Sequence, residues 1–218
     1  LAQLAAQVKS GAIDTVLEQA VDGLVLIAPH YEALVMIGEL RLQVPLVVVG
    51  AHGGLRLTSV TVDQAEGARL AARHLLGLGH ENLAHVSGPL DWLDAKFRLE
   101  AWHAEIQRRG LVEYPSVVGD WGAASGYERG TQILLETDVT GIFVSNDQMA
   151  LGVLRSLHRR GVKVPEDISV VGFGDIEDSA FYEPPLTTVR EDSSEVGRRA
   201  IDVLIGLIQG GSPDSITV

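Results

Sequence analysis

The 218-residue chain contains no cysteine, and this absence excludes two kinds of chemistry at once. Neither a disulfide framework nor a thiolate nucleophile or metal ligand is available. Long apolar runs are also missing, because no segment approaches the roughly 20 apolar residues that a membrane-spanning helix needs. Hydrophobic residues make up 46% and charged residues 21%, which is ordinary for a globular protein whose core needs no covalent staples.

Basic side chains are scarce relative to acidic ones. There are 17 Lys and Arg residues against 29 Asp and Glu residues, which gives a formal net charge of -12. A surface this acidic repels phosphate backbones, so this segment is not expected to hold nucleic acid by itself. For most acidic domains the charge serves solubility.

The common enzyme motifs are absent from the sequence. No glycine-rich loop ends in the lysine of a nucleotide-binding turn, and Gly172–Gly174 lacks the third glycine of a dinucleotide turn. The segment from His80 to His85 has the wrong spacing for a zinc-binding helix, and no Gly-x-Ser-x-Gly elbow occurs. We therefore expect no catalytic residues, no cofactor and no metal. An enzyme on an α/β scaffold remains a rival that would require turnover.

Short continuous apolar runs alternate with helical patterns along the chain. The run Leu46–Val49 is typical of the strands, and Gly79, Gly110 and Gly161 stand where helices should stop. Continuous runs of this kind indicate parallel strands covered on both faces. Since crossovers between parallel strands are right-handed, the pattern predicts a doubly wound α/β architecture.

The predicted elements cover most of the chain. Helices are expected at Leu1–Val8, Thr15–Ala20, Tyr31–Leu40 (with Leu34, Ile37 and Leu40 inward), between Asp63 and Gly79, and at Leu93–Arg109, Ala123–Glu136, Asp147–Arg160 and Ser193–Gln209. Strands are expected at Gly23–Ile27, Leu46–Val49, Ser59–Val62, Leu83–Val86, Ser116–Val118, Gly141–Val144, Ile168–Val171, Thr188–Arg190 and Ser215–Val218.

Two neighbouring segments carry the most information. Residues 145–152 read SNDQMALG and residues 164–189 read VPEDISVVGFGDIEDSAFYEPPLTTV. Together with GARLAARHLLGLGH at 67–80, FRLEAW at 97–102 and VDGLVLIAP from Val21, they resemble the effector-binding core of LacI/GalR-type transcriptional regulators. Each piece is weak alone, but so many in register make a strong signal.

The resemblance implies a fold like that of type I periplasmic binding proteins. Two doubly wound parallel-sheet lobes would be joined by crossing strands, with residues 1–62 and 190–218 in the N-terminal lobe and 63–189 in the C-terminal lobe. The first strand–helix unit and the final strand of the N-terminal lobe are expected to be missing or incomplete. Relatives also carry a helix-turn-helix headpiece, which this sequence does not contain.

The resemblance also implies the function. We expect the core of a cytoplasmic regulator that binds a sugar or sugar derivative in the inter-lobe cleft and changes operator affinity through the absent headpiece. It should form a homodimer through the regions of Met149–Leu157 and Asp178–Tyr182, without any role for a membrane. The alternative is a periplasmic sugar-binding protein of a transporter, and the residues upstream of Leu1 would distinguish the two.

Three residues are the leading candidates for ligand binding. Arg98 matches the ligand-binding arginine of the family, and a guanidinium suits vicinal hydroxyls because it donates two parallel hydrogen bonds. Trp121 matches a sugar-stacking position and lies on a loop that is poorly suited to core packing. Asn146 follows the strand Gly141–Val144 and is expected to contact ligand, whereas Asp147 is expected to cap the next helix.

Three further candidates have a structural alternative. Trp92 lies at the end of the neighbouring strand and either grips a ring opposite Trp121 or packs in its own lobe. Asp94 either contacts ligand or simply complements the N-terminus of its helix. Phe173, at the end of the strand Ile168–Val171, either forms a wall of the cleft or has no contact with ligand.

Departures from the family pattern bear on the identity of the ligand. Gly50 and Gly174 stand where relatives commonly have acidic residues, and Ser193 replaces an aromatic residue that often lines the cleft. Losing two carboxylates removes partners for hydroxyl groups and opens volume. The sequence therefore suggests a larger or differently substituted ligand than a simple monosaccharide.

Overall fold

The computed structural model describes residues 12–50, 57–111, 114, 116–136 and 138–218. The chain divides into two compact units. The first comprises residues up to Asp63 together with Asp192–Val218, and the second comprises Gln64–Glu191. The helix predicted at Leu1–Val8 lies outside the described residues.

The first unit is built on a four-stranded parallel sheet in the order β1-β2-β3-β9. Its elements are α1 (Ala12–Leu17), β1 (Leu24–Ile27), α2 (Tyr31–Glu39), β2 (Leu46–Val49), β3 (Ser59–Thr61), α7 (Ser193–Ile208) and β9 (Ile216–Thr217). Helix α7 begins where the Asp192 side chain accepts a hydrogen bond from the Glu195 amide at 2.9 Å. Its apolar stripe of Val196, Ala200 and Val203 then packs on the sheet.

The second unit is built on a five-stranded parallel sheet in the order β5-β4-β6-β7-β8. Its elements are α3 (Gln64–Gly77), β4 (Leu83–Ser87), α4 (Leu93–Arg108), β5 (Val117–Val118), α5 (Ala123–Glu136), β6 (Gly141–Val144), α6 (Asp147–Arg159), β7 (Ser169–Gly174), a 3-10 helix (Glu177–Phe181) and β8 (Thr187–Arg190).

Helices cover both faces of this second sheet. One core cluster joins α3 and α4 to the sheet through Trp102, Phe143 and Phe173, and another joins α5 and α6 through residues such as Ile142 and Val153. The chain moves from β4 outward to β5 and then returns to β6 on the other side of β4. Ligands of open α/β sheets bind at the carboxyl ends of strands where the order reverses in this way, and here the loops after β4 and β6 meet at that point.

The predicted α/β fold with parallel sheets is confirmed, while several details of the elements differ. Helix α1 begins three residues before the predicted Thr15, and Ala20 has a φ of 54°, a left-handed conformation incompatible with continuing the helix. Leu40 was expected to face inward but is 39% exposed, because an extended ψ of 133° takes it out of the helical register. Strand β7 continues to Gly174 because its pairing with β8 continues to Arg190. The 3-10 helix was not predicted.

Candidate functional site

Arg98 is the most heavily bonded side chain at the carboxyl edge of the second sheet. It lies in the second turn of α4 and is only 5% exposed. Its Nε donates to Gln64 Oε1 at 2.8 Å, one terminal nitrogen donates to the Ser145 carbonyl, and the other donates to Glu191 Oε2 at 3.4 Å. A buried guanidinium is stable only when its N–H groups are hydrogen-bonded and its charge is paired, and these acceptors meet part of that requirement.

Aromatic rings lie near the Arg98 guanidinium. The Arg98 Cζ atom is 3.6 Å from the centroid of the Phe173 ring and 5.9 Å from that of the Trp121 ring. Trp92 meets Trp121 edge to face, with ring centroids 5.5 Å apart. Cations are attracted to ring faces at such distances, and edge-to-face contact is a favoured geometry for aromatic pairs. The structure thus brings four of the predicted site residues together.

Phe173 belongs to the core as well as to this cluster. Its side chain is 2% exposed and packs with Trp102 and Phe143. A Cβ atom on Gly67 would be 2.5 Å from its ring, so α3 approaches the ring closely only because that residue is glycine. Phe173 is therefore a core residue, and its ring also lies against the Arg98 guanidinium.

Trp121 is half-buried and packs against the core cluster of α5 and α6. The expectation that its loop position suits it poorly to core packing was therefore wrong. Gly88, which follows β4, permits this placement, because a Cβ atom there would overlap the indole. The residue adopts a φ of 75°, and its Nε1 atom is buried without a hydrogen-bond partner among the described residues. Both features cost free energy, so the packing of the indole on the core cluster must offset them.

Asn146 caps helix α6, and the prediction that Asp147 would do so was wrong. The Asn146 Oδ1 atom accepts from the Met149 amide at 2.9 Å, and its Nδ2 donates to the Trp121 carbonyl at 2.9 Å. Asp147 is fully buried and accepts from Thr188 Oγ1 at 2.6 Å and from the Ile176 amide at 3.0 Å. Asn146 therefore connects the loops after β5 and β6, whereas Asp147 connects the start of α6 to β8 and to the loop after β7.

The electrostatics of the site centre on Arg98. Burial lowers the pKa of its guanidinium, and the carboxylates of Glu191, Asp94 and Asp147 act in the opposite direction. Glu191 is the nearest of these partners, with its side chain 27% exposed. Asp94 is half-buried in the first turn of α4, four residues before Arg98. A carboxylate at this position also interacts favourably with the dipole at the N-terminus of the helix.

A buried histidine supports the site and was not found by reasoning on the sequence. His85 lies in β4 with its Nε2 atom 2.9 Å from Ser145 Oγ and its ring stacked on Phe143 at 4.8 Å. Burial, with smaller contributions from His103 and Arg98, lowers the pKa of His85 to about 3. Ser145 in turn accepts from Arg98 through its carbonyl. The available signal was one ionisable residue inside the otherwise apolar run Leu83–Val86.

Gly174, where relatives commonly have an acidic residue, adopts a backbone conformation that favours glycine. It has a φ of 130°, a region that side-chain-bearing residues rarely adopt. A Cβ atom there would also stand 3.4 Å from Asp147 Oδ2. An acidic residue in this conformation would be strained and would face a buried carboxylate.

The described part of the chain lacks two further features, a metal-ligand cluster and a membrane-spanning helix. No group of three or more His, Asp or Glu side chains is arranged to hold a metal ion there. Among the same residues, none of the helices has the length and apolar character needed to cross a bilayer.

Comparison with known proteins identifies the family to which the chain belongs. Residues 72–218 match the model of the periplasmic binding protein-like domain family, and the chain belongs to that family. Its curated relatives are repressors of the LacI type, and it corresponds to their effector-binding core. The chain spans about half the length of the curated relatives it matches, with 56% of the lactose operon repressor covered.

Particular relatives give the degree of similarity. The lactose operon repressor of Escherichia coli (strain K12) is 36% identical over 201 residues, which is 91% of this chain. The repressor PurR of Pasteurella multocida (strain Pm70) is 31% identical over 212 residues, covering 94% of this chain and 63% of that protein. A solved dimeric lac repressor with a C-terminal deletion matches with a TM-score of 0.90 at 34% identity, over 95% of this chain and 78% of that one. A complex of the transcriptional regulator CelR with cellobiose matches with a TM-score of 0.85 at 28% identity, over 94% and 64%.

Proposed function

We propose that this chain is the ligand-sensing core of a bacterial transcriptional regulator and that its ligand is a carbohydrate-like small molecule. The observation that carries the proposal is the buried Arg98 guanidinium, held at the carboxyl edge of the sheet beside Trp121. The similarity of the chain to the lactose operon repressor and to a regulator solved with cellobiose supports a sugar-like ligand.

The proposed roles follow from the chemistry of each side chain. Arg98 and Asp94 bind hydroxyl groups, because guanidinium and carboxylate form charge-assisted hydrogen bonds. Trp121 and Trp92 offer apolar ring surface to the C–H face of a sugar. Asn146 orders the Trp121 loop through its bond to the Trp121 carbonyl, and its Oδ1 atom, which accepts from the Met149 amide, contacts ligand through its second lone pair. Phe173 holds the Arg98 guanidinium in place from its buried side.

In the proposed regulator, this core performs no chemical step. Ligand binding favours one of two conformations of the protein, and that preference changes operator affinity through a helix-turn-helix segment outside this sequence. The protein acts in the cytoplasm. The alternative of a transporter's sugar-binding protein is not favoured, because the curated relatives at 30% identity or more are repressors.

A homodimer is part of the proposal. Leu151 on α6 and Phe181 in the 3-10 helix lie in the two predicted contact regions and are 41% and 83% exposed. Most of the remaining apolar residues of α6, such as Val153 and Leu157, are buried within their own unit. The contact should therefore depend on Phe181 and Leu151. Sedimentation that finds a monomer at high micromolar concentration would contradict a dimer of this chain.

A thermal-shift screen with mono- and oligosaccharides tests the ligand class. A ligand at 100 times its Kd stabilises the folded state by about 2.7 kcal/mol, which for a chain of this size raises Tm by about 5–10 °C. Arg98→Met should abolish this shift while the variant still unfolds cooperatively. Arg198→Met is the matched control, since Arg198 forms surface ion pairs on α7 and should leave the ligand-induced shift unchanged.

A further inference from the structure

Every strand of the five-stranded sheet is followed by a carboxylate at its carboxyl end. These residues stand within four positions of the last residue of each strand. In the chain order β4 to β8 they are Asp91, Asp120, Asp147, Asp175 and Glu191. Because the carboxyl ends of parallel strands meet at one edge, the negative charges gather where the proposed ligand binds. Asp94 in the first turn of α4 adds another.

The arginine side chains at this edge already form ion pairs with carboxylates of the protein. Arg190 pairs with Asp175, with its Nε atom 2.6 Å from Asp175 Oδ2. Arg98 directs three of its five N–H groups to protein acceptors, including Glu191 at 3.4 Å. The nearby Lys96 faces Glu100 at 3.9 Å on the outside of α4. Among the described residues at this edge, six carboxylates accompany the two guanidinium groups of Arg98 and Arg190, and each guanidinium already has an acidic partner.

These carboxylates disfavour a negatively charged ligand group near Arg98. An anionic group would have to compete with Glu191 for the guanidinium while it approaches Asp94 and Asp147, both of which interact electrostatically with Arg98. Like charges in a partly desolvated site repel strongly because the effective dielectric constant is low. A hydroxyl or an ammonium group carries no such penalty, and an ammonium group is also attracted to the faces of Trp92 and Trp121.

We propose that this site selects neutral or amine-bearing polyhydroxylated rings and rejects phosphorylated and uronic ones. The inference rests on the proposed function, because it names the charge class of the carbohydrate that the same site binds. It assigns the selection to Glu191, which pairs with the Arg98 guanidinium at 3.4 Å, and to Asp94, which lies one helical turn before Arg98.

Matched ligand sets provide the test. Glucose, glucosamine, glucose 6-phosphate and glucuronate, with the galactose equivalents and cellobiose, are titrated into the full chain while tryptophan fluorescence and Tm are followed. Neutral and amine-bearing members should bind at least tenfold more tightly than the anionic members with the same ring. Asp94→Asn and Glu191→Gln should each reduce this discrimination by about threefold or more. Asp202→Asn, in a surface ion pair on α7, is the charge-matched control and should not alter it.

The outcomes separate this inference from the proposed function. Tighter binding of a phosphorylated or uronic member than of its neutral parent overturns the charge selection but leaves a carbohydrate sensor in place. Unchanged discrimination in folded Asp94→Asn and Glu191→Gln proteins overturns the assignment to those carboxylates. Failure of every member to bind rejects the carbohydrate-binding function, and the charge inference fails with it.

Discussion

Replacing Arg98 by methionine removes the guanidinium but keeps a long side chain against Phe173. The substitution leaves Gln64 Oε1, the Ser145 carbonyl and Glu191 without their donor. Breaking a buried ion pair costs about 3–5 kcal/mol, and partial exposure of Glu191, at 27%, reduces that cost. We expect a loss of about 2–4 kcal/mol in the free energy of unfolding. Urea denaturation followed by tryptophan fluorescence reports on the second unit, because Trp92, Trp102 and Trp121 all lie there.

A double-mutant cycle isolates the contribution of the ion pair. Glu191→Gln alone should destabilise less than Arg98→Met, because glutamine can still accept from the guanidinium. The coupling energy between the two positions should be about 1–2 kcal/mol, within the range for residues in one network. Lys96→Met removes an exposed ion pair with Glu100 in the same unit and should change stability by less than about 0.5 kcal/mol, as is usual for exposed ion pairs. If Arg98→Met is as stable as this control and the coupling is zero, the reasoning on the buried guanidinium is refuted.

Two further predictions concern the residues that support the site. Asn146→Ala should destabilise by about 1 kcal/mol or slightly more through loss of the α6 cap. Asn146→Asp should restore most of this in urea denaturation, and equal stability of all three proteins would exclude the cap. The pKa of His85 is about 3 in the folded protein and about 6.5 in the unfolded chain. Between pH 3 and pH 6.5 the unfolded chain therefore binds a proton that the folded protein does not, so the free energy of unfolding falls as the pH falls. The His85 contribution to this slope should approach 1.4 kcal/mol per pH unit at pH 4–5.5. His85→Gln should show a shallower stability–pH curve than the wild type, and parallel curves would contradict the assignment.

Local patterns in the sequence predicted most elements of the fold. The strands Leu46–Val49 and Gly141–Val144 and the helix Ala123–Glu136 have the predicted bounds, because apolar runs and helix-stop signals act over a few residues. The helix ends at Gly79 and Gly110 follow from the same local cause, since both adopt a positive φ. Errors arose where pairing between strands decided the conformation, as in the extension of β7 along β8.

Side-chain roles were harder to predict than the fold. The structure joins Arg98, Trp121 and Asn146 in one network through Ser145 and the Trp121 carbonyl. The sequence pointed to all three, to Arg98 and Trp121 through the family resemblance and to Asn146 through its place after the strand Gly141–Val144. It could not show that Asn146, and not Asp147, caps α6, because both residue types are good caps and adjacent positions differ only in backbone conformation. It also did not reveal His85, whose partner Ser145 lies 60 positions away.

The sequence by itself determined the alternation of strands and helices, the parallel character of the sheets and the family, because these depend on local apolar patterns and on segments of contiguous residues. Tertiary structure alone decided that Arg98 is buried and already bound. Its acceptors Gln64, Ser145 and Glu191 are 34, 47 and 93 positions away, and only the convergence of the carboxyl ends of parallel strands brings them together. The same convergence places a carboxylate after each strand at one edge of the sheet, so the charge of that edge belongs to the fold and not to any single motif.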